Sequence, residues 1–289
     1  LLAINLGAIG LLFLLSRASR LPDPGFLIGL FIGVNFLSGA TLIGINLVFS
    51  ARGKPGFLKP PEFGRLFRYS GIVFWANIIQ FFAYRADIWI INFFLGKSQL
   101  GIYALSAKLI QLFWLVPVAI STVVFSYSDQ MEDPHWLEEL QVLLRLLGWA
   151  SFLGGILLCV FGRPLIMLVF GASFGSAVIP LIIMLPGSLI YIYNIILASY
   201  FSGMNRVQIN LAGSVLCVVI IVSLDFALIP KWGIDGAALA SSLGYGASGI
   251  YAMARFRRLH PVRWQDLLSL RRPDLRYLRG FFEKSLESP

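Results

Sequence analysis

Long apolar stretches alternate with short polar ones along the whole chain. Stretches without any charged residue include 25–49, 109–128, 207–224 and 236–254. Each approaches or exceeds the roughly 20 residues that a helix needs to cross the hydrocarbon core of a bilayer. A lipid-facing barrel would instead alternate apolar and polar residues over segments of about ten residues. The pattern therefore predicts an all-α fold, a polytopic transmembrane helix bundle.

About eight crossings account for these stretches. Residues 164–205 carry no charge and exceed one crossing, so their first part predicts an interfacial segment. Residues 257–289 are too charged to cross, and 264–270 predict a short surface helix. Because the chain opens at Leu1 inside an apolar run, we expect the sequence to be a fragment of a longer protein. We place the crossings at roughly 1–16, 25–49, 66–95, 98–128, 138–162, 176–202, 207–229 and 235–255.

The composition agrees with a membrane protein, since 58% of the 289 residues are hydrophobic and 13% are charged, with a mean hydropathy of +0.81. Cys159 and Cys217 lie in apolar stretches without a CxxC spacing, so we interpret them as buried small side chains. His135 and His260 lie far apart in polar loops, where we assign them no role. The sequence therefore predicts no metal site, no catalytic cluster and no cofactor.

Positive charge is distributed unevenly between the loops. Residues 50–68 and 255–284 carry most of the 23 lysines and arginines, and Arg145 and Arg206 fall on the same predicted side. Because lysine and arginine collect in cytoplasmic loops, we predict that this side and the C-terminus are cytoplasmic, with Arg145 marking a helix end. The net charge of +9 then reflects topology and a tail beside anionic lipid, and we expect no nucleic-acid partner.

A short repeat indicates how the helices are grouped. The tripeptide Ile-Asn-Leu opens the first apolar run at Ile4 and the seventh at Ile209, and each run is followed by a proline, Pro24 or Pro230. An offset of six helices predicts a two-lobe transporter architecture in which the first lobe is incomplete. The predicted units are the last two helices of the N-terminal lobe at 1–50, a cytoplasmic interlobe linker at 51–65, a six-helix C-terminal lobe at 66–256 and a basic cytoplasmic tail at 257–289.

Polar residues concentrate on one face of the predicted helix 66–95. Asn77, Gln80, Tyr84 and Asp87 are spaced three, four and three residues apart, which places them on one side of a helix. Arg85 lies next to this stripe. Such a stripe inside a crossing predicts a wet cavity or interhelical pairing rather than contact with lipid.

Two basic side chains fall near the middle of the bilayer. At about 1.5 Å per residue, Arg85 and Lys108 lie roughly 16–18 Å from the turn near Gly96, while half the hydrocarbon core is about 15 Å. Gln111 is three residues after Lys108. The sequence leaves open an ion pair between Lys108 and Asp87, snorkelling of the cations, and a cationic cavity for an anionic headgroup in which Asp87 orients the cations or carries a coupling ion.

Other polar residues within crossings have two interpretations each. Asp225, close to Pro230, is either hydrated near a membrane surface or a second ion-coupling residue. Tyr191, Tyr193 and Asn194 fall in the middle of a crossing, where interhelical hydrogen bonding and substrate contact are both open.

Three segments resemble a known family. They are Phe-Ala-Tyr-Arg-Ala-Asp-Ile-Trp-Ile-Ile-Asn-Phe-Phe-Leu-Gly at 82–96 with Gly-Ile-Tyr-Ala-Leu at 101–105, Phe-Gly-Arg-Pro-Leu-Ile-Met-Leu-Val-Phe-Gly at 161–171, and Leu-Ile-Pro-Lys-Trp-Gly-Ile-Asp-Gly-Ala-Ala-Leu-Ala at 228–240. Together they resemble the polysaccharide or O-antigen flippases of the multidrug/oligosaccharidyl-lipid/polysaccharide superfamily. The resemblance implies two six-helix lobes around a central cavity. By position, Arg85 and Asp87 correspond to a polar pair on the first helix of the second lobe.

The resemblance also implies a function, which is transport of polyprenyl-pyrophosphate-linked oligosaccharide from the cytoplasmic to the periplasmic leaflet. We expect a flippase rather than an enzyme, working by alternating access in polysaccharide biosynthesis in the bacterial inner membrane. With four helices of the first lobe missing, the chain alone is not expected to transport. The expected partners are the lipid-linked oligosaccharide, membrane lipids, and a polysaccharide polymerase or glycosyltransferase. The expected site residues are Arg85, Lys108, Asn77, Gln80, Tyr84 and Gln111 for substrate, and Asp87 and Asp225 for coupling to a proton or sodium gradient.

Three alternatives stay open. A multidrug or metabolite antiporter of the same fold should have a more acidic and aromatic cavity than the two cations favour. A membrane glycosyltransferase, polymerase or ligase generally displays its catalytic residues in a large outer loop, and the predicted topology has no such loop. A noncatalytic scaffold would not need charges at mid-depth.

Overall fold

The computed structural model describes residues 33–34, 36–37, 40–41, 60–127, 133–271 and 274. The chain divides into two compact units, Leu1–Gly64 and Arg65–Pro289. In the first unit the described residues are helical, and the Thr41 hydroxyl donates to the Leu37 carbonyl at 2.7 Å. The predicted crossing 1–16, most of 25–49 and most of the predicted linker lie outside the described residues.

The described residues of the second unit are almost all helical and contain no strand. The prediction of an all-α membrane protein is therefore confirmed. Among the described residues, four helical stretches are long and apolar enough to cross a membrane, Phe74–Phe113, His135–Phe170, Ala172–Gly203 and Val207–Leu259, and the number of crossings stays a prediction. In chain order the helices are α1 (Pro60–Phe113), α2 (Leu115–Ser126), α3 (Pro134–Phe170), a 3-10 helix (Ala172–Ala177), α4 (Val178–Gly203), α5 (Val207–Leu259) and α6 (Trp264–Leu268).

The two longest helices, α1 and α5, each reverse direction at a glycine. Gly96 in α1 has φ 77° and ψ −178°, and Gly233 in α5 has φ 59° and ψ −139°. Residues with side chains rarely adopt this conformation. The Tyr103 hydroxyl reaches Asp87 across Gly96, although 16 residues of straight helix would separate them by about 24 Å. Each glycine therefore closes a helical hairpin, and the turn predicted near Gly96 is confirmed.

Helix α4 lies at the centre of the unit and packs against α2, α3 and, most extensively, α5. Small residues let α4 and α5 approach closely, because a Cβ atom on Gly187 would lie 1.9 Å from the Ser242 carbonyl oxygen. This is the small-residue packing typical of membrane helices, where lipid supplies no hydrophobic force between them. Tyr191, Tyr200 and Phe201 fill the core around α4.

Four sequence interpretations need correction. Cys159 is exposed, and only Cys217 is buried as predicted, because Cys159 lies on the outer face of α3. Arg145 does more than mark a helix end, since its side chain is 4% exposed and forms an ion pair with Asp274. His260 has a partner, because its Nε2 atom lies 2.6 Å from the Tyr200 hydroxyl. Helix α3 continues through the predicted interfacial segment as far as Phe170, and the 3-10 helix follows it.

Candidate functional site

A cavity of about 480 Å³ lies among α1, α2, α4 and α5. Its walls come from two or three neighbouring turns of each long helix, and Asn77, Val118 and Phe125 are exposed at its rim. None of the described residues that line it carries a charge. Its polar lining consists of amide and hydroxyl groups, those of Asn77, Gln80, Tyr84, Tyr191, Asn194, Ser199, Ser202, Asn210 and Ser214.

Gln80 connects three helices through its side-chain amide. Its Nε2 donates to the Tyr191 hydroxyl on α4 at 3.0 Å, and its Oε1 accepts from the Ser214 hydroxyl on α5 at 2.7 Å. The Tyr84 and Tyr191 hydroxyls are 2.9 Å apart and complete the chain. Because both ends of the Gln80 amide are fixed by neighbours, this wall of the cavity is preorganised.

Asn210 closes the end of the cavity near the turn between α4 and α5. Its Nδ2 donates to the Ala198 carbonyl at 2.8 Å and to the Ser202 hydroxyl at 2.9 Å. Asn77 and Asn194 also line the cavity, but within the described part of the chain their side-chain amides make no hydrogen bond. Their donors and acceptors are therefore available to a bound molecule.

An aromatic cluster adjoins the polar wall. The ring centroids of Trp114 and Tyr191 are 4.8 Å apart, those of Trp114 and Tyr245 are 5.1 Å apart, and Tyr84 packs against all three. The Trp114 indole donates to the Ser188 carbonyl at 3.3 Å. The cavity thus combines neutral hydrogen-bonding groups with aromatic surface.

Two buried carboxylates lie deeper in the helix packing. Asp87 is 1% exposed and accepts from the Ile88 amide at 2.8 Å and from the Tyr103 hydroxyl, which lies 3.0 Å from the Ser241 hydroxyl. Asp225 is 0% exposed, and neither carboxylate oxygen has a hydrogen-bond partner among the described residues. A buried carboxylate without hydrogen-bond partners is costly when it is ionised.

The predicted polar stripe is divided by the structure. Asn77, Gln80 and Tyr84 line the cavity, whereas Asp87 is buried in the helix packing and is not part of the cavity wall. The hydration predicted as one alternative for Asp225 does not apply, because this side chain is fully buried.

The predicted cations are not part of the cavity wall. Lys108 is exposed and its Nζ donates to Gln111 Oε1 at 2.8 Å, so the ion pair with Asp87 that the sequence left open does not form. Arg85 is half-buried on α1, outside the lining. The binding roles of Arg85, Lys108 and Gln111 therefore stay predictions.

Sequence reasoning missed the contribution of α5 and of the end of α4. Ser202 lies eight residues after Asn194, and Ser214 lies four after Asn210, so each pair lies on one helix face. This spacing is the signal that would have predicted a second polar stripe facing the stripe on α1.

A helix bundle whose described part contains four helical stretches long and apolar enough to cross a membrane defines a multi-pass membrane protein. The chain belongs to the polysaccharide biosynthesis protein family, since the model of that family matches residues 32–179, just over half of the chain. The resemblance inferred from the sequence is thus confirmed.

Relatives with descriptive names agree with this family. The chain is 24% identical over 214 residues to the "probable low-salt glycan biosynthesis flippase Agl15" of Haloferax volcanii, covering 72% of this chain and 44% of the relative. It is 26% identical over 231 residues to the "probable flippase AglR" of the same organism, covering 75% and 47%. It is 28% identical over 152 residues to the "capsular polysaccharide biosynthesis protein CapF" of Staphylococcus aureus, covering 51% and 38%.

The chain therefore spans less than half the length of these relatives. No solved structure matches it at a comparable level of significance. Family and fold together identify a multi-pass membrane protein of the polysaccharide biosynthesis protein family.

Proposed function

We propose that this protein is a flippase that moves polyprenyl-pyrophosphate-linked oligosaccharide between the leaflets of the membrane, and that the sugars occupy the cavity among α1, α2, α4 and α5. The observation that carries the proposal is the neutral, amide- and hydroxyl-rich lining of a cavity inside an otherwise apolar bundle. The relatives named as flippases support the same class of function.

The lining suits carbohydrate because sugar hydroxyls both donate and accept hydrogen bonds. The free amides of Asn77 and Asn194 can do both, and the half-buried Tyr84 presents ring surface to the apolar face of a sugar ring. The volume of about 480 Å³ lies within the range of about 300–1,000 Å³ typical of small-molecule sites. The cavity thus holds part of an oligosaccharide.

The uncharged lining argues against a multidrug cation antiporter, which needs acidic groups facing its substrate.

The lining also offers no cation for the pyrophosphate, so the sugars and the pyrophosphate bind at different places. We assign the pyrophosphate to Arg85 and to Lys108 with Gln111, which lie outside the cavity, and leave the polyprenyl chain in lipid. The activity is transport without covalent chemistry.

Orientation follows from positive charge. Ser202 and Val207 flank the turn that contains Arg206, so the cavity lies at the end of α4 and α5 that is predicted to be cytoplasmic. We place the protein in the bacterial inner (plasma) membrane with its C-terminus cytoplasmic, so that sugars enter from the leaflet where they are assembled. A glycosyltransferase and a polysaccharide polymerase are the expected partners.

Replacing Asn77 and Asn194 together by leucine tests the sugar site. The complete protein as the cell makes it is placed in vesicles containing lipid-linked oligosaccharide, and flipping is measured by impermeant periodate oxidation of the sugar diols. Loss of hydrogen bonds worth about 0.5–1.5 kcal/mol each predicts a roughly tenfold slower rate. Gln141→Leu on α3, outside the cavity, serves as the control and should be unaffected. Equal rates in the variant and the wild type would exclude the cavity as the sugar site.

Alternating access needs an energy source, and we assign coupling to the carboxylates Asp87 and Asp225. Because the Asp225 carboxylate has no hydrogen-bond partner among the described residues, a proton or sodium ion taken up there would lower its energy and change how α5 packs on α1. Asp225→Asn should leave downhill flipping intact and abolish its acceleration by an imposed proton or sodium gradient. Persistence of that acceleration in the variant would remove Asp225 from the mechanism.

A further inference from the structure

The segment after α5 is fixed to α3 by a buried ion pair. Arg145 Nε donates to Asp274 Oδ2 at 2.7 Å and Arg145 Nη2 donates to Asp274 Oδ1 at 2.6 Å, and Asp274 is 1% exposed. The Arg145 Nη1 atom also donates to the Asp266 carbonyl. A two-point guanidinium–carboxylate contact fixes orientation as well as distance.

Further contacts hold α6 against the bundle. The Trp149 indole donates to the Leu268 carbonyl at 2.9 Å, and Leu267 is fully buried. The Arg271 amide donates to Asp274 Oδ2 at 2.8 Å, and the Arg271 guanidinium pairs with Asp266. The segment is therefore a docked part of the fold.

Docking of α6 creates an apolar groove of about 260 Å³ between α3, α4 and the segment. Its surface is aromatic and aliphatic, formed mainly by Trp149, Phe152, Leu189, Ile190, Tyr193 and Leu268. Trp149 and Phe152 of the groove belong to α3, a helix long and apolar enough to cross a membrane, so its apolar surface favours an acyl chain as occupant.

Basic side chains flank α6, which closes this groove. Arg258 and Arg263 are exposed and form no salt bridge among the described residues, whereas the carboxylates of the segment, Asp266 and Asp274, are already paired with Arg271 and Arg145. Arg263 directly precedes α6 and Leu268 ends it, so about 7.5 Å of helix rise separates their Cα atoms. A lipid phosphate at Arg263 therefore leaves its acyl chain within reach of Leu268.

We propose that this surface is a binding site for an anionic phospholipid of the leaflet that faces the C-terminal segment. One acyl chain lies in the groove and the phosphate contacts Arg258 and Arg263. Exposed Trp264, Leu268 and Leu270 extend the apolar contact, and the Arg257 guanidinium lies 4.5 Å from the centre of the Trp264 ring, which steadies the indole at the membrane interface. The bound lipid then secures α6 against α3 and α4.

The test compares phosphatidylglycerol with phosphatidylcholine, supplied in equal amounts to the purified chain in detergent and counted by native mass spectrometry. We expect a preference of about fivefold or more for phosphatidylglycerol. It should disappear in Arg258→Gln/Arg263→Gln, persist in Arg258→Lys/Arg263→Lys, and persist in the control Lys97→Gln/Lys231→Gln. No preference in the wild type, or its retention in the glutamine variant, would overturn the site.

A second measurement locates the acyl chain. Phosphatidylglycerol brominated in mid-chain quenches tryptophan fluorescence on contact, and Trp149 lines the groove. Quenching should therefore be weaker in Trp149→Phe than in the wild type, while Trp89→Phe, which removes an exposed tryptophan on α1, leaves the groove signal in place. Equal quenching in Trp149→Phe and the wild type, or displacement of phosphatidylglycerol by lipid-linked oligosaccharide, would contradict the assigned occupant.

Discussion

At the scale of single residues, the cavity depends on which way each side chain points. Gln80 faces Tyr191 and Ser214, whereas Arg85, five residues further along α1, lies outside the lining. Five residues rotate a helix by about 140° from the starting direction. Neutral side chains thus form the cavity wall, and the charges lie elsewhere.

The ion pair of Asp274 gives a prediction for pH. The hydrogen bonds from Arg145 lower the pKa of Asp274 below its usual 3.8. A lowered pKa means that the stabilisation is present above pH 3.8 and is lost as pH falls through the folded pKa. A fluorophore on Ser269→Cys, in a Cys159→Ser background, should report a docked segment from pH 8 to about pH 4, and release only below that.

Asp274→Asn supplies the comparison for this experiment, because the amide keeps the shape and removes the charge. Because Trp149 and Leu267 still hold α6, the fluorophore should report a segment in this variant that is less docked than in the wild type at pH 7 and does not change between pH 8 and 3. A transition between pH 5 and 7 in the wild type, or equal docking of Asp274→Asn and the wild type at pH 7, would show that the ion pair does not hold α6.

Part of the residue-level result was available from the sequence. The spacing of Asn77, Gln80 and Tyr84 predicted a shared face, and they do share the cavity wall. Periodicity gives directions within one helix, however, and not which neighbour each face meets. For that reason the sequence did not predict that Lys108 contacts Gln111 instead of Asp87, or that Arg145 pairs with Asp274, 129 positions away.

At the scale of helices, the two glycine reversals determine which polar groups meet. The hairpin at Gly96 brings Tyr103 to Asp87. The hairpin at Gly233 brings the Ser248 hydroxyl to the Gly213 carbonyl at 3.4 Å. Apolar length predicted these helices well, because spanning a bilayer fixes a minimum length. It did not fix the end of α3 at Phe170, where Gly171 with φ 91° terminates the helix.

Replacing Gly96 by alanine tests the hairpin. A side chain at φ 77° and ψ −178° is strained by about 1–3 kcal/mol, so the variant should unfold at a lower temperature. Gly101→Ala is the matched control, because Gly101 lies in regular helix with nothing within 4 Å of an added Cβ, and it should be neutral or stabilising by about 0.5–1 kcal/mol. Equal melting temperatures for the two variants would mean that α1 does not need its glycine turn.

At the scale of the whole molecule, a neutral cavity and a pair of buried carboxylates lie in one helical unit. Composition predicted the membrane environment, and the three quoted segments predicted the family that residues 32–179 match. Predicting the cavity would have required knowledge of the contacts among α1, α4 and α5, three helices that are distant from one another in sequence. Those contacts follow from tertiary packing and not from local patterns, so the sequence predicted three of the nine polar lining residues, Asn77, Gln80 and Tyr84, and left Tyr191 and Asn194 open.

If sugars of a lipid-linked glycan occupy this cavity, a photocrosslinker placed there should capture them. Benzoylphenylalanine at position 194, in cells that make the glycan, provides this measurement, with the same residue at position 161 as the control, since Phe161 is 58% exposed on α3. Hexose-containing adducts are expected at position 194 and none at 161. Adducts at 161 alone, or none at 194 while flipping continues, would exclude the cavity as the sugar site.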